Sequence, residues 1–313
     1  MSIKEDFLVK TASGLYCKYG DFYLDPQLPV KYAVISHAHG DHAKPGNQEI
    51  FCTPFTKEIM KLRLKKNAGA NFNLHGYNQT FSLNDVNISF LPAGHILGSA
   101  MVKMEYLNTV YLFTGDFKLQ ADRTCEPIEF CNADVLITET TFANPDTKHP
   151  DPITEIKSLN QISTNILLGV YGLGKAQRLT SLINDYCPQK NIHLHYSIFP
   201  IHQLYEKNGI NLGKYKHYDR KEMKQKHQNQ VYLVPPLTFN SYNNAIGVTR
   251  VFASGWENLQ HGNDGKLYIS DHADWDDILK TIEEVKPKQV WTVHGDGNNL
   301  KSYFSNSLQV KIL

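Results

Sequence analysis

The stretch Ser36-His37-Ala38-His39-Gly40-Asp41-His42 follows the apolar strand Ala33-Val34-Ile35 and packs four metal-ligating side chains into six residues. At a strand end alternate side chains share a face. His37 and His39 can therefore meet one ion, while Asp41 and His42, past the Gly40 turn, serve a second. Working outward, two more histidines and a carboxylate stand just beyond other apolar runs: His95 in PAGHILGSA, Asp116 in FTGDFK and His294 in TVHGD. Neutral imidazoles with carboxylates suit zinc, and ligand type leaves manganese and iron open. His75, His149, His193, His195, His202, His217, His227 and His261 read as solvated or core residues.

The rest of the composition sets bounds. With 313 residues, 41% of them hydrophobic and 20% charged, the chain can bury a sizeable core without staples. Its formal charge of +1 means that a polyanionic partner would have to be met by a local basic surface. Five cysteines without a CxxC pair read as free thiols of a reducing compartment. MSIKEDFLVK lacks a long apolar core, and no window approaches the roughly 18 apolar residues of a membrane span. The expectation is a cytoplasmic protein without a membrane partner.

Short strands alternate with turns over the first 120 or so residues, as in Phe22-Tyr23-Leu24, Ile88-Ser89-Phe90-Leu91 and Val110-Tyr111-Leu112-Phe113. One helix interrupts them, with Ile59, Met60, Leu62 and Leu64 at helical spacing among Lys57, Lys61, Arg63, Lys65 and Lys66. After Val135-Leu136-Ile137 the rhythm becomes strand, glycine turn and helix, as in an α/β unit: Ile166 to Val170, then GLGKAQRL, then a helix with Leu179, Leu182 and Ile183 on one face. The end of the chain reads as strand, helix (Trp275, Ile278, Leu279, Ile282, Val285), a stop at Lys286-Pro287, and strand.

His37, His39, Asp41, His42, His95, Asp116 and His294 resemble the full ligand set of binuclear metallo-β-lactamase-fold hydrolases. The resemblance implies that His37, His39 and His95 hold one ion, Asp41, His42 and His294 the other, and that Asp116 bridges them. Asp25 in FYLDP reads equally as a turn cap before Pro26 and, by the resemblance, as the supporting carboxylate of that site. Glu139 in LITETTF, His272 in ISDHADW and His294 further resemble the motifs of the β-CASP nucleases, the group of ribonuclease J, Artemis and the pre-mRNA cleavage endonuclease. GLYC, SHAHGDHAKPG, PAGHILGSA, ITETTF, LGKAQRL, ASGW and ISDHADW are similar to the bacterial DNA-ligase-associated exonucleases over nearly the whole chain. ENLQHGNDGK, after ASGW, is less basic than in that group.

The fold so implied is α/β: an αββα metallo-β-lactamase sandwich over 1–144 and 266–313, with a β-CASP cassette inserted at 145–265. The function implied is metal-dependent hydrolysis of DNA, exonucleolytic and in repair, alongside a DNA ligase and a DEXH-box helicase. Two divalent ions, zinc first and manganese second, can hold a bridging hydroxide and neutralise a scissile phosphate. Asp41, His272 and Glu139 are the expected catalytic residues, with His272 as general acid kept protonated by Glu139. Ser270, Lys175 and Arg178 are expected to contact substrate phosphate from a helix start and a glycine turn. Lys214, Lys216, Arg220, Lys221, Lys224 and Lys226, broken by Asp219 and Glu222, read as a solvated helix face. An RNA-processing nuclease of the same fold, or a non-catalytic nucleic-acid scaffold, are the alternatives.

Overall fold

The computed structural model describes residues 3–219, 221, 228–243 and 245–313. Arg220, Glu222, Lys224 and Lys226 of the basic run, and His227, lie outside the described residues. The chain forms two compact units, Met1–Lys148 with His272–Leu313, and His149–Asp271.

The first unit is a two-sheet sandwich. Its first sheet runs in chain order: β1 (Leu8–Thr11), β2 (Gly14–Cys17), β3 (Phe22–Leu24), β4 (Tyr32–Val34), β5 (Glu49–Cys52) and β6 (Asn71–Leu74). Pairing is antiparallel up to β3 and parallel from β3 onward. Between β5 and β6 lies helix α1 (Pro54–Leu64), started by Thr53, whose hydroxyl accepts from the Thr56 N–H, and by a proline in its first turn. It buries Phe55, Thr56, Ile59 and Met60, so the apolar seam lies a turn earlier than Leu62 and Leu64 suggest, and Leu62 stays exposed.

The second sheet starts as an antiparallel meander, β7 (Thr80–Leu83), β8 (Val86–Pro92), β9 (Ala100–Tyr106) and β10 (Thr109–Phe113), and continues in parallel with β11 (Val135–Thr140). One core joins the two sheets: Phe22, Leu24 and Val34 of the first meet Phe90, Val102, Tyr111 and Trp291 of the second. The alternation of buried and half-buried residues along these strands is what lets one face fill this core.

The second unit is an all-parallel sheet: β12 (Asn165–Gly169), β13 (Asn191–Leu194), β14 (Lys216–His217), β15 (Gln230–Val234), β16 (Val248–Ala253) and β17 (Gly265–Leu267), in the order β14-β13-β15-β12-β16-β17. Helices α2 (Pro152–Lys157), α3 (Lys175–Tyr186), α4 (Phe199–Lys207) and α5 (Pro236–Ser241) lie along it. Its strands are continuous apolar runs because both faces are covered, with Leu168 and Val251 in one core and Leu167 and Phe252 in another.

Back in the first unit, α6 (Trp275–Val285) covers the outer face of the second sheet through Trp275, Ile278, Ile282 and Val285 against Leu112, Leu136 and Val290. Asp274 starts α6 by accepting the Asp277 N–H, and Lys286 ends it in the left-handed region at φ 55°. β18 (Gln289–Gly295), α7 (Asn298–Tyr303) and β19 (Gln309–Ile312) follow, and β18 inserts between β11 and β19. No helix among the described residues is long and apolar enough to cross a membrane.

Candidate metal centre and catalytic pair

Each candidate ligand of the first unit follows the C-terminal end of a strand. Asp25 comes after β3, His37 to His42 after β4, His95 after β8, Asp116 after β10, and His294 sits at the end of β18. The sheets are tied together here, because the Ala100 N–H donates to the Ser36 carbonyl at 2.8 Å. Gly115, at φ +55°, lets the turn before Asp116 pass Ser36, since a Cβ there would lie 2.8 Å from that of Ser36.

Three imidazoles converge. His39 Nδ1 lies 3.0 Å from both His37 Nε2 and His95 Nε2, and Asp116 Oδ2 is 3.4 Å from the former and 3.8 Å from the latter. Hydrogen bonding explains this poorly. Ser36 Oγ donates to Asp25 Oδ2 at 2.5 Å, so at 3.0 Å it accepts from His37 Nδ1, which leaves His37 Nε2 as a bare lone pair. One ring nitrogen of His39 cannot supply a proton to both neighbours. Ligands about 3.3 Å apart are, however, the edges of a tetrahedron with metal–nitrogen bonds of about 2.0–2.1 Å.

A second set shares Asp116. His42 gives its Nδ1 proton to Asp25 Oδ2 at 2.8 Å. Its Nε2 faces Asp116 Oδ2 at 3.3 Å and Asp41 Oδ2 at 3.8 Å, and its ring lies 5.0 Å from that of His294. Burial resists a second proton on His42, but Asp116 and Asp25 outweigh it and raise the ring's pKa well above its usual value. The spot between His42 Nε2 and Asp116 is thus one that a cation stabilises, and a metal ion can take the proton's place there. Burial also raises Asp116, yet the charges of His42 and His272 win and hold it well below the carboxylate range. His37 is kept neutral, first by burial and then by His42. The donor set fits divalent metal ions, with Asp25 orienting His42 from behind.

His294 is aimed by an irregularity of its strand. Glu139 pairs with Val293 and Thr140 with Gly295, so His294 is the extra residue of a bulge, at φ 50°. Gly295 must be glycine: at φ +128° a Cβ would meet the Thr140 carbonyl at 2.4 Å. His294 and Asp41 are exposed, whereas His37, His42, His95 and Asp116 form the buried floor.

Beside this floor stands Glu139, fully buried. It accepts from the Phe117 N–H at 2.9 Å, from the Thr141 hydroxyl at 2.6 Å and from His272 Nδ1 at 2.8 Å. His272 Nδ1 is also 3.9 Å from Asp116 Oδ2, and the ring is part-exposed. Glu139, His272 and Asp116 therefore form one cluster.

The second unit treats its candidates differently. Lys175 and Arg178 are 3% and 2% exposed, too buried to reach a phosphate directly. Lys175 Nζ donates to the Ile269 carbonyl at 2.6 Å and pairs with Asp271 at 3.2 Å, while Arg178 donates to the Ser270 carbonyl at 2.6 Å and pairs with Asp271 at 3.2 Å. Their expected substrate contact gives way to a structural clamp on residues 269–271, since a buried cation must be paired. Ser270 is buried too, and Asp274, not Ser270, caps the following helix.

Four supporting residues escaped the sequence reading. Ser36 bridges Asp25 and His37. Lys118, 1% exposed, donates to the His95 carbonyl at 2.6 Å and pairs with Asp122 at 2.9 Å. Thr53 donates to the Gly98 carbonyl at 2.6 Å, and Arg63 donates to the Ala38 carbonyl. A serine directly before the histidine cluster and a lysine directly after FTGDF were the available signals.

Comparison with known proteins agrees with this geometry. Residues 266–308 match a family described as a Zn-dependent metallo-hydrolase RNA specificity domain. A protein of Opitutus terrae named "Probable DNA ligase" is 32% identical over 307 residues, covering 92% of this chain and 29% of that protein. An "RNase J-like protein" of Methanocaldococcus jannaschii is 31% identical over 185 residues, 50% of this chain and 44% of its own. An "Endoribonuclease ysh1" of Aspergillus fumigatus is 35% identical over 119 residues, 35% of this chain and 14% of its own. The chain thus spans less than half the length of these relatives. A protein of unknown function from Enterococcus faecalis shares the fold, with a TM-score of 0.62 at 15% identity over 90% of this chain and 78% of that one. Given these matches and the clustered ligands, the chain belongs to the β-CASP nuclease family of the metallo-β-lactamase fold, a family of metal-dependent hydrolases.

Proposed function

We propose that the chain is a phosphodiesterase that hydrolyses DNA, working as an exonuclease in repair with two divalent ions, zinc before manganese. His37, His39 and His95 would hold one ion, Asp41, His42 and His294 the other, with Asp116 shared. When bound, such ions activate water and neutralise charge on the scissile phosphate. The observation that carries the reading is the Glu139–His272 pair, 2.8 Å apart and beside the ligand cluster. Neither residue is among the seven assigned ligands. A leaving 3′ or 5′ oxygen needs a proton, and His272, whose Nδ1 proton is held by a buried carboxylate, can give up the one on Nε2. Glu139 orients the ring and favours its charged form.

The DNA reading is supported by the relative named "Probable DNA ligase", which aligns with nearly all of this chain. A ligase as functional neighbour goes with it; a DEXH-box helicase rests on the family resemblance alone. A cytoplasmic setting is proposed with them, from the cysteine pattern. RNA is the second reading, favoured by the RNA specificity description of residues 266–308 and by the relative named "Endoribonuclease ysh1". Digestion of matched 5′- and 3′-labelled DNA and RNA strands with zinc and with manganese tests the proposal. Stepwise shortening of DNA from one end supports it; faster cutting of RNA transfers the function to the second reading, and no cutting of either removes both.

A further inference from the structure

Helix α1 touches two of the ligand-bearing loops and carries much of the molecule's positive charge. Thr53 and Thr56, at its start, both donate to the Gly98 carbonyl just after His95, at 2.6 and 3.1 Å. Arg63, in its last turn, donates to the Ala38 carbonyl between His37 and His39. Residues 54–67 hold Lys57, Lys61, Arg63, Lys65 and Lys66 against Glu58 alone, a net +4 in a chain of +1, so the remainder sums to −3.

The helix dipole accounts for cations in the last turn. It does not account for Lys57 in the first half of α1, which lies four residues and about 6 Å along the axis from Lys61, where like charges repel, and Lys65 and Lys66 add two more cations in the short 3-10 turn that follows the helix. Lys61, Arg63, Lys65 and Lys66 are exposed. Lys61 is steadied, its ammonium 5.6 Å from the Phe72 ring centre. Beyond the end of α1 opens a depression of about 490 Å³, lined in part by Pro45, Gly46, Asn47, Lys66 and Asn67.

We propose that this face is a phosphate track: the backbone of a nucleic-acid strand lies along the end of α1 and the turn that follows it, held by Lys61, Lys65 and Lys66, while Arg63 ties the track to the metal loop. The inference rests on reading the centre as a nuclease and adds how a near-neutral chain holds a polyanion. Its contacts are sequence-independent and salt-sensitive.

The test is the salt dependence of binding to a cleavage-resistant phosphorothioate single strand, read by fluorescence anisotropy. Replacing Lys61, Lys65 and Lys66 together by Gln should lower the slope of log affinity against log salt by about 2, at roughly 0.7 per lost phosphate contact, and weaken binding more than tenfold at low salt. The matching Lys→Arg variant should bind as wild type. A Gln variant with unchanged slope and affinity overturns the track, as does an Arg variant that loses as much as the Gln one. Wild-type hydrolysis of bis(4-nitrophenyl) phosphate reads the nuclease assignment separately, because so small a diester does not need α1. A lysine-dependent slope without that hydrolysis supports the track and counts against the nuclease reading alone.

Discussion

Glu139 grips the Nδ1 side of His272 with both carboxylate oxygens, at 2.8 and 3.1 Å, so that Nε2 is the ring nitrogen not engaged by Glu139. If that nitrogen protonates the leaving oxygen, His272→Ala should keep its metal and lose about 10²–10⁴ in cleavage rate. Glu139→Gln should lose less in the same step. A nitrophenyl diester, whose leaving group needs little protonation, should recover much of the rate. Equal damage on both substrates, or loss of metal, would mean that His272 is a ligand or a structural residue.

Asp116 lies within 3.8 Å of ring nitrogens from His37, His42 and His95. Asp116→Ala should therefore lower occupancy at both positions, not one. Metal analysis of wild type and variant, with anomalous scattering to place the ions, checks this. Ions located away from His37, His39 and His95 would refute the assignment.

Asp25 accepts the Ser36 N–H, the Ser36 hydroxyl and the His42 Nδ1 proton. An amide at this position has one acceptor oxygen and no charge, so Asp25→Asn must release one of these partners. Metal affinity, measured by competition with a chelator, should weaken about 10- to 100-fold. Unchanged affinity would reduce Asp25 to the turn cap before Pro26.

His202, in the second unit, supplies a pH test on a histidine outside the candidate ligand set. It is buried between Gln177 and Thr180, and burial lowers its pKa to about 3. Unfolded, the ring takes a proton near pH 6.5. Between those values the unfolded chain binds the extra proton, so stability falls as pH drops from about 6.5 toward 3, by at most about 1.4 kcal/mol per unit from this group. Above pH 6.5 its contribution is fully present. Denaturant midpoints of the His202→Gln variant should show a shallower acid slope than wild type; an identical slope would show that the ring is not the group titrating.

The strand-end position of the candidate ligands could be read from sequence because a run such as Ala33-Val34-Ile35 announces its own end, and His37 to His42 follow at once. What could not be read was direction. Lys175 and Arg178 sit in a glycine-turn context that suits anion binding, but which way a helix faces depends on Asp271, 93 residues beyond Arg178. Leu62 fits the apolar period of α1 yet points outward, because Phe55 and Thr56 set the buried seam one turn earlier. The bulge at His294 was equally hidden, since it exists only in the register between β11 and β18.

That bulge also fixes an order of assembly. His37, His39 and His95 all belong to the first third of the chain, and their loops can meet once β4 and β8 are in place. His294 acquires its direction only from β18 paired with β11, across an insertion of well over a hundred residues. On a ribosome, the loops carrying the first triad are therefore made well before β18, the strand that directs His294. Yet Trp291 and Val293 of β18 also fill the core shared by both sheets, so the docking step that aims His294 is the same one that completes that core.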